Sequence, residues 1–281
     1  MELREMGDMD VNEFERLGWD KKHRVLENPE CLVEIIRVGA QDESEWVRKA
    51  AVRHPSAPED VIRAGATDKS RSVRDVAASH SSAPEDVIRI GAVDDDWRVR
   101  TRAASNPSAP EDVIRAGVQD ESRWVRVGAV ENPSAPEDVI RAGIEDEDWD
   151  VRMAAAENPS APEDVIRAGM ADADWEVRWA AGGNPSAPED VIRMAAKDEN
   201  PWVRRAAGGN PSAPEDVIRA GVKDRSALVR EAVAGHPRLP EDLAVKMSRS
   251  KVTAIQEALA GNPAVPEQIR VVVRMKAVGR R

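Results

Sequence analysis

The side chains that could bind a metal ion or act as a nucleophile are few and widely spaced in this chain. There are four histidines, His23, His54, His80 and His236, and one cysteine, Cys31. Three of the histidines occupy one position of a repeated motif, so equivalent side chains start about 10 Å apart in neighbouring repeats. A zinc ion needs nitrogen ligands at about 2.1 Å, and a catalytic thiol needs an adjacent histidine. The sequence therefore predicts no metal, no cofactor and no enzyme.

The elements that carry these residues belong to a repeat. The octapeptide Ser-Ala-Pro-Glu-Asp-Val-Ile-Arg occurs seven times with a period of 26 residues, beginning at Ser56, Ser82, Ser108, Ser134, Ser160, Ser186 and Ser212. A fixed period of this size is typical of a solenoid, in which each repeat packs only on its neighbours. We number the positions of a repeat from 1 to 26, starting at the Asn of Asn-Pro or at the residue that replaces it.

Each repeat is predicted to contain two short helices, A and B. In the repeat that spans 132–157, Ser134 and Glu137 have the spacing of a capping box, so helix A should begin near Ala135. Proline in the first turn would cost no hydrogen bond. Gly143 should end helix A with a left-handed cap.

Helix B should begin after Asp146, whose side chain is a good N-cap. Val151 and Ala155, four residues apart, should form its buried stripe, and Asn-Pro should end it. Acidic clusters such as 94–96 are typical of helix N-termini, and none has the glycine and terminal glutamate of a calcium loop.

The two ends of the array depart from the repeat. We expect an N-terminal capping segment, nine tandem repeats and a C-terminal capping helix, at residues 1–27, 28–261 and 262–281. In the first of these, Asp10 and Glu13 have capping-box spacing and Phe14 is a candidate apolar plug. The C-terminal segment is basic, through Arg270, Arg274, Lys276, Arg280 and Arg281. It is either a solvated helix end or a contact surface, for an acidic partner or for the acidic N-terminus of another copy in weak head-to-tail self-association.

The run Asn-Pro-x-x-Pro-Glu-x-Val-Ile, followed by Asp-x-x-x-x-Val-Arg-x-Ala, resembles the variant leucine-rich repeat, an α-solenoid family of the HEAT and armadillo-like kind. The resemblance covers most of the chain. It implies an all-α, right-handed solenoid of about ten two-helix repeats, with one helix of each repeat either α or 3₁₀. Some members of the family carry an iron–sulfur cluster on several cysteines, which a single Cys31 does not match.

An Asp and an Arg six residues apart, as in Asp146 and Arg152, recur in eight repeats. The pair resembles the ladder of HEAT repeats, in which such residues bond within and between repeats. The resemblance implies a structural role for the pair rather than a binding role.

Seven of the eight tryptophans fall on helix B. Position 18 holds Trp97, Trp149 and Trp175, position 19 holds Trp46, Trp124 and Trp202, and position 22 holds Trp179. In the other repeats position 22 is charged, polar or apolar: Lys49, Asp75, Thr101, Val127, Met153, Arg205 and Glu231. At 100° per residue, position 22 should point about 180° and position 18 about 140° away from the buried stripe.

Exposed tryptophans in series are typical of a contact surface. We therefore predict that these residues at positions 18, 19 and 22, which we call the helix B ridge, bind a protein or peptide. Position 19 points only about 120° from the buried stripe, so its tryptophans could instead pack along the neighbouring repeat. That packing alternative stays open for the other four as well.

The charge of the chain limits its partners. The net charge is −11 and the sequence pI is about 5.1, which opposes non-specific binding to DNA, RNA and anionic membranes. No segment approaches the ~20 apolar residues of a membrane span, and the N-terminus has no signal-peptide pattern, so we expect a cytoplasmic protein. Two other functions stay open: an engineered or neutral array without a ligand, and a nucleic-acid-binding solenoid that uses the arginines Arg63, Arg89, Arg115 and Arg141.

Overall fold

A computed structural model describes residues 9–278, and the side chains of residues 9–275. This part of the chain contains 21 α-helices and no strand. The helices are α1 (Val11–Glu15), α2 (Trp19–Leu26), α3 (Val33–Gly39), α4 (Glu45–Arg53), α5 (Glu59–Ala66), α6 (Arg71–Ser79), α7 (Glu85–Ala92), α8 (Trp97–Ala104), α9 (Glu111–Gly117), α10 (Arg123–Val130), α11 (Glu137–Ile144), α12 (Trp149–Glu157), α13 (Glu163–Met170), α14 (Trp175–Gly183), α15 (Glu189–Ala195), α16 (Pro201–Gly209), α17 (Glu215–Gly221), α18 (Ala227–Ala234), α19 (Glu241–Met247), α20 (Thr253–Gly261) and α21 (Glu267–Val278). Arg280, Arg281 and the side chain of Lys276 lie outside the described residues.

The chain divides into two compact parts, Met1–Val139 and Ile140–Arg281. Within each part, helices A (odd numbers from α3) alternate with helices B (even numbers from α2), and successive helices B pack side by side. The predicted all-α solenoid of two-helix repeats is confirmed, and both helices of each repeat are α-helical over the described residues. The core is thin and is built from equivalent positions, such as Ile166 of helix A and Val177 and Ala181 of helix B, all fully buried.

Helix A begins later than the sequence predicted. In α13 the N-cap is Pro162, with an extended backbone and no side-chain cap, and the first helical residue is Glu163. The predicted Ser–Glu capping box is therefore wrong. The residue before a proline avoids the α region, so Ala161 cannot open the helix. The backbone N–H of Ser160 instead donates to Oδ1 of Asn158 at 2.8 Å.

The glycine near the end of helix A does not form the left-handed cap that we predicted. No described residue has a positive φ. Gly169 is inside α13, where an added Cβ would lie 2.9 Å from Cβ of Ala156 and 3.2 Å from Cβ of Ala181. The glycine is needed because two helices B approach helix A closely.

Helix B also begins two residues later than predicted. The N-cap of α12 is Asp148, which accepts from the backbone N–H of Asp150 at 3.0 Å. Asp146 accepts from the backbone N–H of Asp148 at 2.9 Å, so it shapes the turn before the helix. At the N-terminus the prediction is confirmed: Asp10 and Glu13 form a capping box at α1, and Phe14 is fully buried.

Two buried rows of side chains join neighbouring repeats within each part. In the first row, the Asn at position 1 donates to two backbone carbonyls, one at position 1 of the preceding repeat and one at position 25 of the repeat before it. Asn184 Nδ2 bonds to the carbonyls of Ala156 at 2.8 Å and Asn158 at 3.0 Å. Each such Asn donates hydrogen bonds to buried backbone carbonyls that no helical hydrogen bond satisfies.

The second row is the predicted Asp–Arg ladder, which is confirmed. Arg178 Nη1 donates to the carbonyls of Asp172 and Ala173 in its own repeat, at 3.0 and 2.9 Å. Its Nε and Nη2 donate to the carboxylate of Asp198, twenty residues later in the next repeat, at 2.8 and 3.3 Å. One guanidinium therefore holds its own turn and the next repeat together.

Candidate functional site

The tryptophans of the helix B ridge lie in the first turn of helix B, except for Trp179. The three at position 19 are the most open: Trp46, Trp124 and Trp202 are 52%, 45% and 43% exposed. At position 18, Trp149 and Trp175 are also exposed. The position 19 rings are thus partly exposed, and one of them, Trp124, also packs against a ring of the neighbouring repeat. Trp97 and Trp179 are half-buried.

Position 22 is more buried than its helical angle suggested. All eight residues there, Lys49, Asp75, Thr101, Val127, Met153, Trp179, Arg205 and Glu231, are half-buried, so the expectation that they face solvent directly is wrong. The reason is that helices B within each compact part pack side by side, so position 22 lies near position 23 of the next repeat. Arg102 Nε, for example, lies 3.4 Å from Oδ1 of Asp75. The residues at position 22 therefore lie at the contact between neighbouring helices B.

In the N-terminal part the ridge contains a stacked pair of rings. Trp97 and Trp124, from neighbouring repeats, have ring centroids 6.4 Å apart and an interplanar angle of 24°. The Arg98 guanidinium lies 4.6 Å from the Trp97 ring centroid, and the Arg123 guanidinium 4.5 Å from that of Trp124. These distances are within the range of cation–π attraction. The two rings are therefore held in place before any ligand arrives.

The stacked pair lines an open cleft of about 470 Å³. The other residues that line it are Thr101 and four charged ones, Arg71, Asp75, Arg98 and Arg102. Asp96 pairs with Arg71 and Arg98, and Asp75 pairs with Arg102, so these arginines exceed their carboxylate partners by one positive charge. It can accommodate an apolar or aromatic group on the rings and an anionic group at the edge.

A second cleft, also of about 470 Å³, surrounds Trp46. Its lining includes Lys49 and Arg53, and the Lys49 Nζ atom lies 6.0 Å from the Trp46 ring centroid. A neighbouring cleft joins Trp46 to Trp19, which is the most exposed tryptophan of those described, at 58%.

Trp19 is a residue of this surface that the sequence reasoning missed. It is the first residue of α2, 26 residues before Glu45, which is the first residue of α4. Trp19 therefore occupies position 18 of a helix B that lies ahead of the first recognised repeat. Lys22 supports this alignment, because its Nζ bonds to Asp42 at 2.7 Å, twenty residues later, as a ladder arginine would. Counting the period backwards from Glu45 would have found it.

The C-terminal part has the same pairing of ring and cation at Trp202, where the Arg205 guanidinium lies 5.7 Å from the ring centroid. Three ridge tryptophans of this part, Trp149, Trp175 and Trp202, are exposed. Tryptophan offers a large apolar ring and one N–H donor to a partner.

The histidines at position 1 are confirmed as turn residues. His236 takes the place of Asn in the first inter-repeat row: its Nδ1 accepts from the backbone N–H of Arg238 at 3.0 Å, and its Nε2 lies 2.9 Å from the carbonyl of Asn210. These contacts require a neutral ring with the proton on Nε2. Burial lowers the pKa of His236 below its usual value, although the bond to Asn210 opposes the shift.

Replacing His236 with Asn should reduce the loss of stability in mild acid. A histidine whose pKa is lowered in the folded chain stabilises the fold above pH 6.5, and this contribution is lost as the pH falls below that value. Asn210 makes the equivalent bonds without titrating. Melting temperatures at pH 7.5 and 5.5 should therefore differ less in His236→Asn than in the unmodified chain. An equal difference in both proteins would contradict this prediction, and His23→Asn is the control.

The remaining reactive groups are scattered or buried. Cys31 is buried, and burial raises the pKa of its thiol to about 11. Over the described residues, no three His, Cys, Asp or Glu side chains come together as a group that could hold a metal ion. No helix within that stretch is both long and apolar enough to cross a membrane.

The arginines of the nucleic-acid alternative are engaged in ion pairs. Arg63 Nη1 lies 2.8 Å from Glu59 of its own helix, and Arg63 Nε lies 2.8 Å from Asp86 of the next repeat. Arg89 and Arg115 each pair in the same way with a Glu of their own helix and an Asp of the next repeat. Arg141 pairs with Asp164 of the next repeat. The positive charges of these four arginines are therefore balanced by carboxylates.

No protein-family model and no curated protein matches the chain. Among solved structures, a leucine-rich repeat variant described as having a novel repetitive structural motif is 23% identical to it. That match covers 76% of this chain and 84% of the other, with a TM-score of 0.54. The chain thus has the fold of the leucine-rich repeat variant, as the sequence resemblance implied.

Two further structures match over more of the chain but superpose less well. An X-ray structure of the YibA protein of E. coli is 16% identical, covering 96% of this chain and 95% of its own, with a TM-score of 0.43. An engineered protein is 18% identical, covering 86% of this chain and 96% of its own, with a TM-score of 0.24.

Proposed function

We propose that this chain is a non-enzymatic repeat scaffold that binds a protein or peptide through the helix B ridge. The observation that carries the proposal is the pair of stacked rings, Trp97 and Trp124, each beside an arginine and both lining one open cleft. Tryptophan and arginine are the residues most enriched among binding hot spots. A ring that stacking already orients loses little conformational entropy on binding.

The charges of the clefts indicate the kind of partner. The cleft at Trp97 has three arginines and one aspartate, and the cleft at Trp46 has Lys49 and Arg53 against one glutamate. We infer a peptide segment with apolar or aromatic side chains and acidic neighbours. Trp149, Trp175 and Trp202 offer the same type of contact in the C-terminal part, with Trp179 between helices.

Nucleic acid is the weaker alternative. The net charge of the chain is −11, and the helix A arginines Arg63 and Arg89 are paired with carboxylates. Binding of a single strand would have to rely on the tryptophans and on the cations beside them, of which Arg71, Arg98 and Arg102 are themselves in ion pairs. A gel shift at low salt with a single-stranded oligonucleotide tests this function directly.

The test of the proposed function is the double variant Trp97→Ala with Trp124→Ala. Peptides are first selected from a random display library on the unmodified chain, and their affinities are then measured by calorimetry. We expect at least a tenfold loss of affinity, about 1.4 kcal/mol, because both hot-spot rings are removed. The melting temperature should change little, since neither ring belongs to the buried core.

Val93→Ala is the matched control. Val93 is an exposed apolar residue that follows helix A and does not line the cleft at Trp97, and it is 79% exposed. It should leave peptide affinity unchanged. The proposal fails if the double variant binds the selected peptides as tightly as the unmodified chain, or if Val93→Ala weakens binding equally.

A further inference from the structure

The Asp–Arg ladder stops at Arg230, and the place of the next carboxylate is left open. Twenty residues after Arg230 the chain has Ser250 instead of Asp. Arg230 still holds its own turn, since its Nη1 donates to the carbonyls of Asp224 at 2.6 Å and Arg225 at 3.1 Å. Its guanidinium is therefore oriented as in the preceding repeat, where Arg204 makes the equivalent two bonds.

Ser250 replaces only part of what the aspartate does. Its Oγ accepts from the backbone N–H of Val252 at 3.1 Å. One repeat earlier, Asp224 accepts from the backbone N–H of Ser226 at 2.7 Å and also binds Arg204 with both oxygens. Ser250 thus retains the hydrogen bond of the turn but lacks the negative charge that the Arg230 guanidinium would bind.

A cleft of about 260 Å³ lies beside Arg230 and Ser250. Arg230, Lys246 and Arg249 line it, with Ser250 at one side and the apolar residues Met247 and Ile255. No acidic side chain is among the residues that line it, and none of the three cations is in an ion pair within the described part of the chain. One water takes about 30 Å³, so the cleft has room for a carboxylate and its hydration.

We propose that this cleft binds a carboxylate group of another molecule in the place that aspartate occupies elsewhere in the ladder. Nε and Nη2 of Arg230 donate to its two oxygens, as those of Arg204 do to Asp224. Lys246 and Arg249 add charge from the open side. The planar fork of arginine matches a carboxylate in two bonds. This site is separate from the helix B ridge and does not depend on it.

The experiment follows the Nε–Hε signals of arginine in an ¹⁵N-labelled full chain at constant ionic strength. The probes are the tripeptide acetyl-Gly-Asp-Gly-amide, its Asn analogue, sodium acetate and inorganic phosphate. We expect a saturable shift of the Arg230 signal with the Asp tripeptide and none with the Asn analogue. A response to acetate as well extends the site to free carboxylates, and a response to the Asp tripeptide alone assigns it to peptide-borne ones.

Ser250→Asp provides the decisive variant, because it supplies the carboxylate from within the chain. It should bind the Asp tripeptide at least about tenfold more weakly, since Arg230 is then already paired. Its melting temperature should not fall, which shows that it folds. Ser226→Asp adds the same charge one repeat earlier, at a position that is Asp in other repeats, and should leave binding unchanged. Three results overturn the proposal: no shift in the unmodified chain, a shift with phosphate only, or equal affinity in Ser250→Asp.

Discussion

Replacing Arg204 with alanine should lower the free energy of unfolding by about 3–5 kcal/mol, the usual cost of removing one partner of a buried ion pair. Arg204 is only 6% exposed. It makes four bonds: 2.8 and 3.1 Å to the Asp224 carboxylate, and 2.9 Å to each of the carbonyls of Asp198 and Glu199. Alanine leaves these acceptors without their donor in a largely buried place.

The pH dependence identifies the ion pair as the cause. Burial of Asp224 opposes its ionisation, but the bonds from Arg204 and from the Ser226 backbone outweigh burial and lower its pKa. A carboxyl with a lowered pKa stabilises the fold above its unfolded pKa of about 3.9, and this stability is lost as the pH falls through the folded value. The difference between the unmodified chain and Arg204→Ala should therefore shrink below about pH 4.

Arg219→Ala is the matched control for this prediction. Arg219 also bridges two repeats, through Asp242 at 2.9 Å, and it pairs with Glu215 at 2.7 Å. Its side chain is exposed, so its loss should cost only about 0–1 kcal/mol. Urea titrations followed by circular dichroism measure both variants. Equal losses for Arg204→Ala and Arg219→Ala would mean that burial of the ladder does not determine its contribution.

The sequence was sufficient for the parts of the fold that depend on periodicity. A period of 26 residues and the spacing of Val151 and Ala155 predicted two helices and a buried stripe, and both residues are fully buried. The Asp–Arg ladder was also predicted, from the recurrence of the pair in eight repeats and its resemblance to the ladder of HEAT repeats. These features depend on local spacing and on identical neighbours, which a repeat sequence contains.

Some features that the sequence did not predict depend on local conformation, and others depend on neighbouring repeats. The signature of a capping box at Ser134 was overridden by the conformation before Pro136, and a glycine expected as a cap proved to be a close-packing site. Position 22 points away from its own core, but the next helix B covers it. The angle of a residue around its own helix does not show whether a neighbouring helix covers it. Trp19 was missed because the recognisable motif begins after it.

The Gly182→Ala substitution should destabilise the chain by about 1–3 kcal/mol, and the added substitution Ala195→Gly should recover most of that loss. Gly182 lies inside α14, and Ala195 is the last residue of α15 in the next repeat. A Cβ added to Gly182 would be 2.7 Å from Cβ of Ala195. Favourable carbon contacts are about 3.5–4.0 Å apart, so one helix would have to move.

The chain itself indicates why the double variant should recover. One repeat earlier the same two positions hold Ala156 and Gly169, in the opposite order, and an added Cβ on Gly169 would lie 2.9 Å from that of Ala156. Each of these interfaces has room for one Cβ, which either helix can supply. The double variant Gly182→Ala with Ala195→Gly gives the second interface the arrangement that the first already has.

A double-mutant cycle measures this exchange. Ala195→Gly alone should cost about 1 kcal/mol, from lost packing and added backbone freedom. We expect a favourable coupling energy of about 1–2 kcal/mol between the two sites. Gly183→Ala is the control, because an added Cβ there would lie 3.5 Å from Ala206, an ordinary contact. It should be neutral or slightly stabilising. If the stability losses of Gly182→Ala and Ala195→Gly simply add in the double variant, the two positions do not share space for one Cβ. The helices can then separate at little cost.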